Sequence, residues 1–351
     1  MLQLFFLHYL NQKSMQDESL YIFYQNNFFY HIKSIILLEI YTKCYFKHIF
    51  KNLKTYYQNL LKNKSIYLIA CFIFFTLEIY SQSYIELSVD NDLYFLTDQY
   101  YSSGITISYG NKKEKKANHW RIGQEIYHPS LRYTNDLSKI DYPYNGWLYV
   151  QNEKEYFLSD KTSYSWGIEI GITGEASLAR KFQNFYHRTF LSLPELSWAG
   201  AQPQRFHFGV FGQINKGISI SENIHLTSQL YSKVSSYRIQ SVGRIGVLIG
   251  LTQKLPFQKP SFNNTELSRG VYIGTRQEYR PHDFALSGSL FNNSSEHTVP
   301  NLKYRNSFEF GLFYKRKKWM ILTLYQSMSK DTPGQRYERH KVLNITIRKQ
   351  F

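Results

Sequence analysis

Apolar and polar residues alternate along most of the chain after about residue 84. Ile105, Ile107 and Tyr109, for example, are separated by Thr106 and Ser108. A period of two is typical of a β-strand with one face in apolar surroundings. The pattern predicts twelve strands, at about 84–90, 102–110, 118–127, 145–157, 163–174, 204–217, 222–234, 241–253, 270–280, 304–316, 318–329 and 338–351.

The even number of strands favours one closed antiparallel barrel in a membrane. Aromatic residues make up 18% of the chain, and no apolar run after about residue 80 reaches the roughly 18–20 residues that a membrane-spanning helix needs. A closed barrel has no free edge in lipid, and aromatic girdles mark its two interfaces. We therefore expect an all-β fold, a twelve-stranded antiparallel transmembrane β-barrel over residues 84–351, located in the cell outer membrane.

Residues 61–83 have the pattern of a secretory signal peptide. Lys62 and Lys64 precede an apolar run over 66–76, and small polar residues follow at 81–83. Residues 1–60 lie upstream of this signal and show no steady period, so we interpret them as an extension from a start site placed too early. Both cysteines, Cys44 and Cys71, fall before residue 84, which excludes disulfides and thiolate metal sites from the expected mature chain.

The positive charge of the chain narrows the choice of partner. The net charge is +16, and residues 1–83 carry eight Lys and four acidic residues, so about +12 remains for residues 84–351. Strong positive charge often indicates nucleic acid, but an exported barrel meets the phosphates of lipopolysaccharide instead. We expect lipopolysaccharide as a partner and no nucleic acid. The terminal aromatic Phe351 is typical of barrels inserted by the barrel assembly machinery.

One predicted external loop contains a helical pattern over residues 176–190. If both termini lie in the periplasm, odd strands run outward and this segment is external. Apolar residues recur on one helical face and polar residues on the other. The pattern predicts an amphipathic helix whose polar face points to solvent and presents His187. The two faces comprise Leu178, Phe182, Phe185 and Thr189 on one side, and Arg180, Gln183, Asn184 and His187 on the other.

Four segments together resemble the lipid A 3′-O-deacylase family of outer-membrane enzymes. Their order and spacing fit the family over essentially the whole of residues 84–351, and the family fold is a twelve-stranded barrel. The segments are Asp90-Asn91-Asp92 with Thr97 to Gly104, Gly123 to Tyr127, Tyr142 to Tyr149, and Gly171 to Gly174 followed by the helical stretch that ends in His187-Arg188.

The resemblance implies hydrolysis of an ester-linked acyl chain on lipid A. It implies a water nucleophile, His187 as general base and a calcium ion that stabilises the oxyanion, with Asn91 and Asp92 as metal ligands. Hard cations prefer such carboxylate and amide oxygens. An unperturbed His titrates near pH ~6.5 and can accept a proton from water at neutral pH.

The resemblance also assigns roles to Asp92, Ser102 and Glu195 beside His187. Strand phase predicts that Asp92 and Ser102 point inward at the barrel rim. The family usually has Thr at the position of Ser102, which keeps the hydroxyl. Two departures are visible: the family often has Arg where Tyr142 stands, and the acid of the loop, Glu195, is one or two residues out of register.

Two other function classes stay open at this point. A passive pore or structural barrel would need the same strands but no catalytic helix. A serine-type lipid esterase would use Ser102 or Ser103 as nucleophile with a His partner. The clustering of the family motifs at the first three external loops favours the deacylase.

Overall fold

The computed structural model describes residues 82–92, 95, 98–251, 267–292 and 294–351. The predicted upstream extension, 1–60, and nearly all of the predicted signal peptide, 61–83, lie outside the described residues. No helix in these described ranges is long and apolar enough to span a membrane.

The described residues form a closed antiparallel barrel of twelve strands. Each strand pairs with its neighbours in sequence, and β1 pairs with β12 to close the barrel. This confirms the predicted fold, with strand ends displaced by a few residues. The strands are β1 Ser83–Asn91, β2 Tyr100–Lys113, β3 Lys116–His128, β4 Asn145–Phe157, β5 Thr162–Thr173, β6 Phe206–Ser221, β7 Ile224–Ser235, β8 Arg238–Leu251, β9 Leu267–Asp283, β10 Tyr304–Arg316, β11 Trp319–Ser329 and β12 Arg339–Gln350.

The pairing of β1 with β12 places the start of the first strand beside the end of the last strand. Tyr84 pairs with Gln350, and the Phe351 N–H donates to the Ser83 carbonyl at 2.9 Å. The connections that follow odd-numbered strands therefore gather at the opposite end, which we call the loop end. These include the longest connections, and they carry the candidate site.

The two faces of the wall have opposite character. Leu87, Ile107 and Ile122 are 45–57% exposed on the outer face, as expected for lipid contact. The lumen is filled with charged side chains that pair across it. Cavities of about 330 and 380 Å³ lie between these described side chains. The buried pairs include Lys233–Glu169, Arg244–Glu309, Arg238–Asp283 and Arg348–Glu86.

An aromatic layer fills the lumen near the loop end. The rings of Trp147 and Tyr237 stack with centroids 4.1 Å apart. Beside them lies a short helix, Phe284–Ser287, whose N-terminus is capped by Asp283 through the Ala285 N–H at 3.1 Å. Phe284 is 1% exposed and packs in the same cluster. The lumen side of the wall at the loop end is therefore closely packed.

Candidate functional site

A helical segment between β5 and β6 packs against the outer face of the wall. It comprises a 3-10 turn, Gly174–Ser177, an α-helix that we call α1, Ala179–Tyr186, and a π-helical turn, His187–Leu191. Leu178 joins the first two with a φ of 60°. We call the whole segment the loop helix. The predicted helix over 176–190 is thus present, in three pieces.

Gly146 on β4 sets how closely α1 approaches. Gly146 is in phase with Val150, which is 41% exposed on the outer face. A Cβ on Gly146 would lie 2.3 Å from the Cβ of Ala179, so only glycine allows this contact. On β3, the Gln124 amide donates to the Ser177 carbonyl at 2.6 Å. The loop helix therefore lies outside the barrel wall, on β3 and β4.

The loop helix is oriented opposite to the prediction. Its polar residues Gln183, Asn184 and His187 are buried against the wall, and His187 is only 3% exposed. Its apolar residues, including Phe182 and Phe185, are exposed. The expectation of a solvent-side His187 is therefore wrong. Three of the four residues predicted for the polar face share the buried side, but Arg180 is exposed. A surface beside a membrane offers apolar surroundings on the outside.

Asp98, in the connection between β1 and β2, is contacted by four side chains. Its Oδ1 accepts hydrogen bonds from His128 Nε2 at 2.8 Å and from Ser102 Oγ at 2.9 Å. Its Oδ2 lies 2.6 Å from Arg132 Nη1 and 3.6 Å from His187 Nε2. The last distance is an electrostatic contact, too long for a direct hydrogen bond. We call these five residues the Asp98 cluster.

The neighbours of Asp98 keep its carboxyl ionised. Burial alone would raise the pKa of Asp98, but the hydrogen bond and charge of His128 and the charge of Arg132 outweigh it and hold the pKa well below its ordinary value. His128 Nδ1 also faces the Pro129 carbonyl at 2.9 Å. A carbonyl and a carboxylate both accept, so both contacts are hydrogen bonds only when the ring carries two protons.

His187 is held in its neutral form. Burial lowers the pKa of His187 and outweighs the charge of Asp98, which raises it, and the charges of Arg132 and His128 lower the pKa further. Asp98 favours a proton on the Nε2 that faces it, which leaves the lone pair on Nδ1. Nδ1 is buried and has no hydrogen-bond partner among the described residues. A water molecule is the usual partner of such an atom.

A β-bulge determines where Ser102 points. The register between β2 and β3 shifts between Tyr101 and Ser103, and Tyr101 lines the lumen cavity together with Gly104 and Thr106. Ser102 instead donates to Asp98, on the side that His128 occupies. The expectation that Ser102 points inward in phase with Thr106 is therefore wrong, because the extra residue of the bulge changes the phase of the strand.

Asp92 is attached to the same connection. It is fully buried directly after β1, and its Oδ2 accepts the Gln99 N–H at 2.9 Å. Its own N–H donates to the Ser102 carbonyl at 3.4 Å. Asn91 is the last residue of β1 and pairs with Ser103. Both predicted metal ligands thus adjoin the backbone that carries Asp98 and Ser102.

Glu195 lies beyond the loop helix and is mostly exposed. Its Oε1 is 3.1 Å from Arg188 Nη1, and its Oε2 is 3.5 Å from Asn184 Nδ2. Neither contact reaches the Asp98 cluster. The structure therefore brings His187 and Ser102 together at Asp98, with Asp92 attached through the backbone, and leaves Glu195 at the helix end.

The sequence matches a known protein family. The family model described as outer membrane protein LpxR matches residues 67–351. The chain belongs to the LpxR family. This is the family of lipid A 3′-O-deacylases that the four sequence segments resemble, and it locates the protein in the outer membrane.

The fold is similar to a solved member of the LpxR family. The structure of LpxR from Salmonella typhimurium is 16% identical, with a TM-score of 0.67, covering 76% of this chain and 100% of that one. Two other barrels are more distant. The β domain of the Bordetella autotransporter BrkA is 10% identical, with a TM-score of 0.41 and coverage of 77% and 98%. The KdgM porin is 8% identical, with a TM-score of 0.38 and coverage of 76% and 99%. No curated protein sequence matches this chain.

Three residues of the Asp98 cluster were not predicted as site residues for this LpxR family member. Asp98 lies inside a family motif, between the predicted Asp92 and Ser102. His128 directly follows another motif and precedes a proline. Arg132 lies four residues after His128 and outside the four motif segments. Of these three residues, His128 carried a signal in the sequence: a His that precedes a Pro at the end of a predicted strand indicates a side chain whose direction is fixed by the turn.

Proposed function

We propose that this protein is an outer-membrane hydrolase that removes an ester-linked acyl chain from lipid A. The observation that carries the proposal is the burial of His187 beside the carboxyl group of Asp98. A neutral imidazole whose second nitrogen is buried and has no partner among the described residues suits a general base that holds a water molecule. Membership of the LpxR family supports lipid A as the substrate.

His187 would take a proton from water at Nδ1 as that water attacks the ester carbonyl. Asp98, fixed by His128 and Arg132, would stabilise the imidazolium that forms and keep the ring oriented. As the bond between the acyl carbon and the sugar oxygen breaks, the proton would pass from His187 to that oxygen, which leaves as a hydroxyl. The role of Asp98 is that of a positioning residue, because it acts through His187.

Calcium is the cofactor that we propose. Asn91 and Asp92 would hold it, since amide and carboxylate oxygens suit this cation. No group of three or more His, Cys, Asp or Glu that could hold a metal lies in the described part of the chain, so backbone or water oxygens would complete the ligands. When bound, calcium would stabilise negative charge on the ester oxygen.

Chelation tests the metal proposal. Removing divalent cations should abolish deacylation by the purified protein, and calcium should restore it better than magnesium. Asp92→Asn weakens the site by one charge, so higher calcium should partly rescue this variant. Full activity in excess chelator would rule out the metal role of Asn91 and Asp92.

The position of the site supports a lipid substrate. The loop helix covers the outer face of β3 and β4, so His187 lies between helix and wall on the membrane side. A passive pore is less well supported, because ion pairs such as Arg238–Asp283 and a stacked Trp147 fill the lumen.

A serine-type esterase remains the alternative to be tested. Ser102 Oγ donates to Asp98, whereas a serine nucleophile needs a His at its hydroxyl to take the proton. Purified protein should release fatty acid from lipid A while its own intact mass stays unchanged during turnover. An acyl adduct trapped on Ser102 would replace the water mechanism with a serine one.

A further inference from the structure

The outward side of the loop helix is a continuous apolar surface. Leu178, Phe182, Phe185, Tyr186 and Phe190 are between 36% and 51% exposed. We call these five residues the aromatic face. Phe190 contacts both Phe185 and Tyr186, with ring centroids 6.1 and 5.4 Å apart. An exposed apolar cluster of this kind is unfavourable in water and marks an interaction surface.

The aromatic face continues the lipid-facing surface of the barrel. The loop helix rests on outer-face positions of the wall, against Gly146 and Gln124. These positions are in phase with Val150 and Ile122, which are 41% and 56% exposed on the same face. The aromatic face therefore extends the apolar wall outward at the loop end, beside the site rather than over the lumen.

Positive charge accompanies the aromatic face. Arg180 and Lys181 are both exposed on α1. Arg188, in the next turn, is 67% exposed at its side chain and pairs with Glu195. Helices that combine aromatic residues with exposed Lys and Arg lie in the interface of anionic lipid layers. This chemistry fits a lipid that has acyl chains and phosphate groups.

We propose that the aromatic face inserts among the acyl chains of lipopolysaccharide in the outer leaflet, with Arg180 and Lys181 at its phosphates. This inference rests on the proposed function, because it names the part of the same substrate that the loop helix binds. His187 lies on the opposite side of that helix. The depth of insertion would therefore hold His187 at the level where ester bonds join the chains to the sugars.

Fluorescence quenching tests the insertion without reference to catalysis. Phe185→Trp adds a reporter to the aromatic face, and Phe291→Trp is the control, because Phe291 is 85% exposed in the connection between β9 and β10. Each variant is placed in vesicles of phospholipid and lipid A, with bromine on the chains of one lipid at a time. Relative to the parent protein, only Phe185→Trp should gain quenching, and brominated lipid A should quench it most.

Two outcomes of this measurement would overturn the proposal. The first is no added quenching of Phe185→Trp, which would place the aromatic face in water. The second is equal or stronger quenching by brominated phospholipid, which would make the contact a general lipid contact. Because quenching needs no turnover, it can succeed even if lipid A proves not to be hydrolysed, so the two proposals fail separately.

Deacylation in vesicles gives an independent test. Phe182→Ser/Phe185→Ser should slow the hydrolysis of vesicle-borne lipid A by about tenfold, the factor expected for losing roughly one buried aromatic side chain. Leu290→Ser/Phe291→Ser removes similar apolar area from another loop and should leave the rate unchanged. Equal rates for both pairs would contradict the proposal. If the parent protein forms a dimer and Phe182→Ser/Phe185→Ser converts it to a monomer, the aromatic face is a self-association surface instead, and the proposal is overturned.

Discussion

At the residue scale, burial and charge act on His187 in opposite directions. Burial lowers the pKa of His187, and the carboxylate of Asp98 raises it, but burial prevails. The ring of His187 is therefore expected to stay neutral at pH values somewhat below about 6.5, the ordinary pKa of histidine. Arg132 and His128 have two effects. They lower the pKa of Asp98, and their positive charges also lower the pKa of His187.

Replacing His187 should remove activity and leave the barrel folded. His187→Ala should slow deacylation by roughly 100- to 10,000-fold, the usual contribution of general-base assistance. His187→Gln should fail as well, since an amide cannot take up the proton. His225→Ala is a matched control, because His225 is equally buried but lies on β7, near the end opposite the loop end. If His187→Ala retained parental rates, the general base would be another group.

Replacing Asp98 should change the pH dependence of the rate. The charge of Asp98 raises the pKa of His187, so Asp98→Asn should lower that pKa further. The neutral base would then persist to lower pH, and the acidic limb of the rate profile should move to lower pH while the maximal rate falls. The rate of deacylation measured from pH 4 to 8 checks this. An unchanged limb would show that Asp98 does not act through His187.

The sequence could predict only part of this site. Motif resemblance was enough to select His187, Asp92 and Ser102. It could not reveal that Asp98 joins His128 to His187, because Asp98 and His187 lie in two separate connections and His128 ends β3. Strand phase also misplaced Ser102, since one extra residue in a bulge reverses the direction of every side chain beyond it.

At the element scale, the loop helix shows where hydrophobic patterning reaches its limit. The period of the sequence groups Gln183, Asn184 and His187 on one face as predicted, whereas Arg180, predicted for the same face, is exposed. Which face turns inward depends on the surroundings, and beside a bilayer the apolar face turns outward while Gln183 and His187 turn to the wall. Twelve strands were predictable because alternating apolar and polar residues indicate a strand in any barrel, whichever face is turned to lipid. Exact strand ends depend on connections whose polar residues extend the pairing.

The contact at Gly146 should control the position of the whole helix. Gly146→Ala places a Cβ 2.3 Å from Ala179 and should push α1 off the wall. Displacement of a catalytic group by about 1 Å can reduce a rate roughly 100-fold. Gly243→Ala on β8 is the matched control, since nothing lies within 4 Å of the added atom. Deacylation rates of the two folded variants should differ strongly, and similar rates would mean that the helix tolerates displacement.

At the scale of the whole molecule, the barrel is closed by one seam. Arg348 on β12 pairs with Glu86 on β1 across it, and Arg348 is 2% exposed. The ring of Tyr84 lies 5.1 Å from the same guanidinium. Removing one partner of a buried pair leaves an uncompensated charge, which costs roughly 3–5 kcal/mol.

The seam should therefore limit the heat resistance of the barrel. On a gel without boiling, the folded protein should migrate differently from the heated one. Arg348→Ala should convert to the unfolded form at a lower temperature than the parent protein. Lys341→Ala, an exposed change on the same strand, should not. Equal conversion temperatures for both variants would mean that the pair across the seam contributes little.

The central claim is that this barrel hydrolyses an acyl ester of lipid A in the outer membrane through His187. Mass spectrometry of lipid A tests it most directly, in otherwise identical cells that make either the parent protein or His187→Ala. The account predicts lipid A that has lost the mass of an ester-linked acyl chain in the first cells, and intact lipid A in the second. Identical lipid A in both, with both proteins folded in the outer membrane, would contradict it.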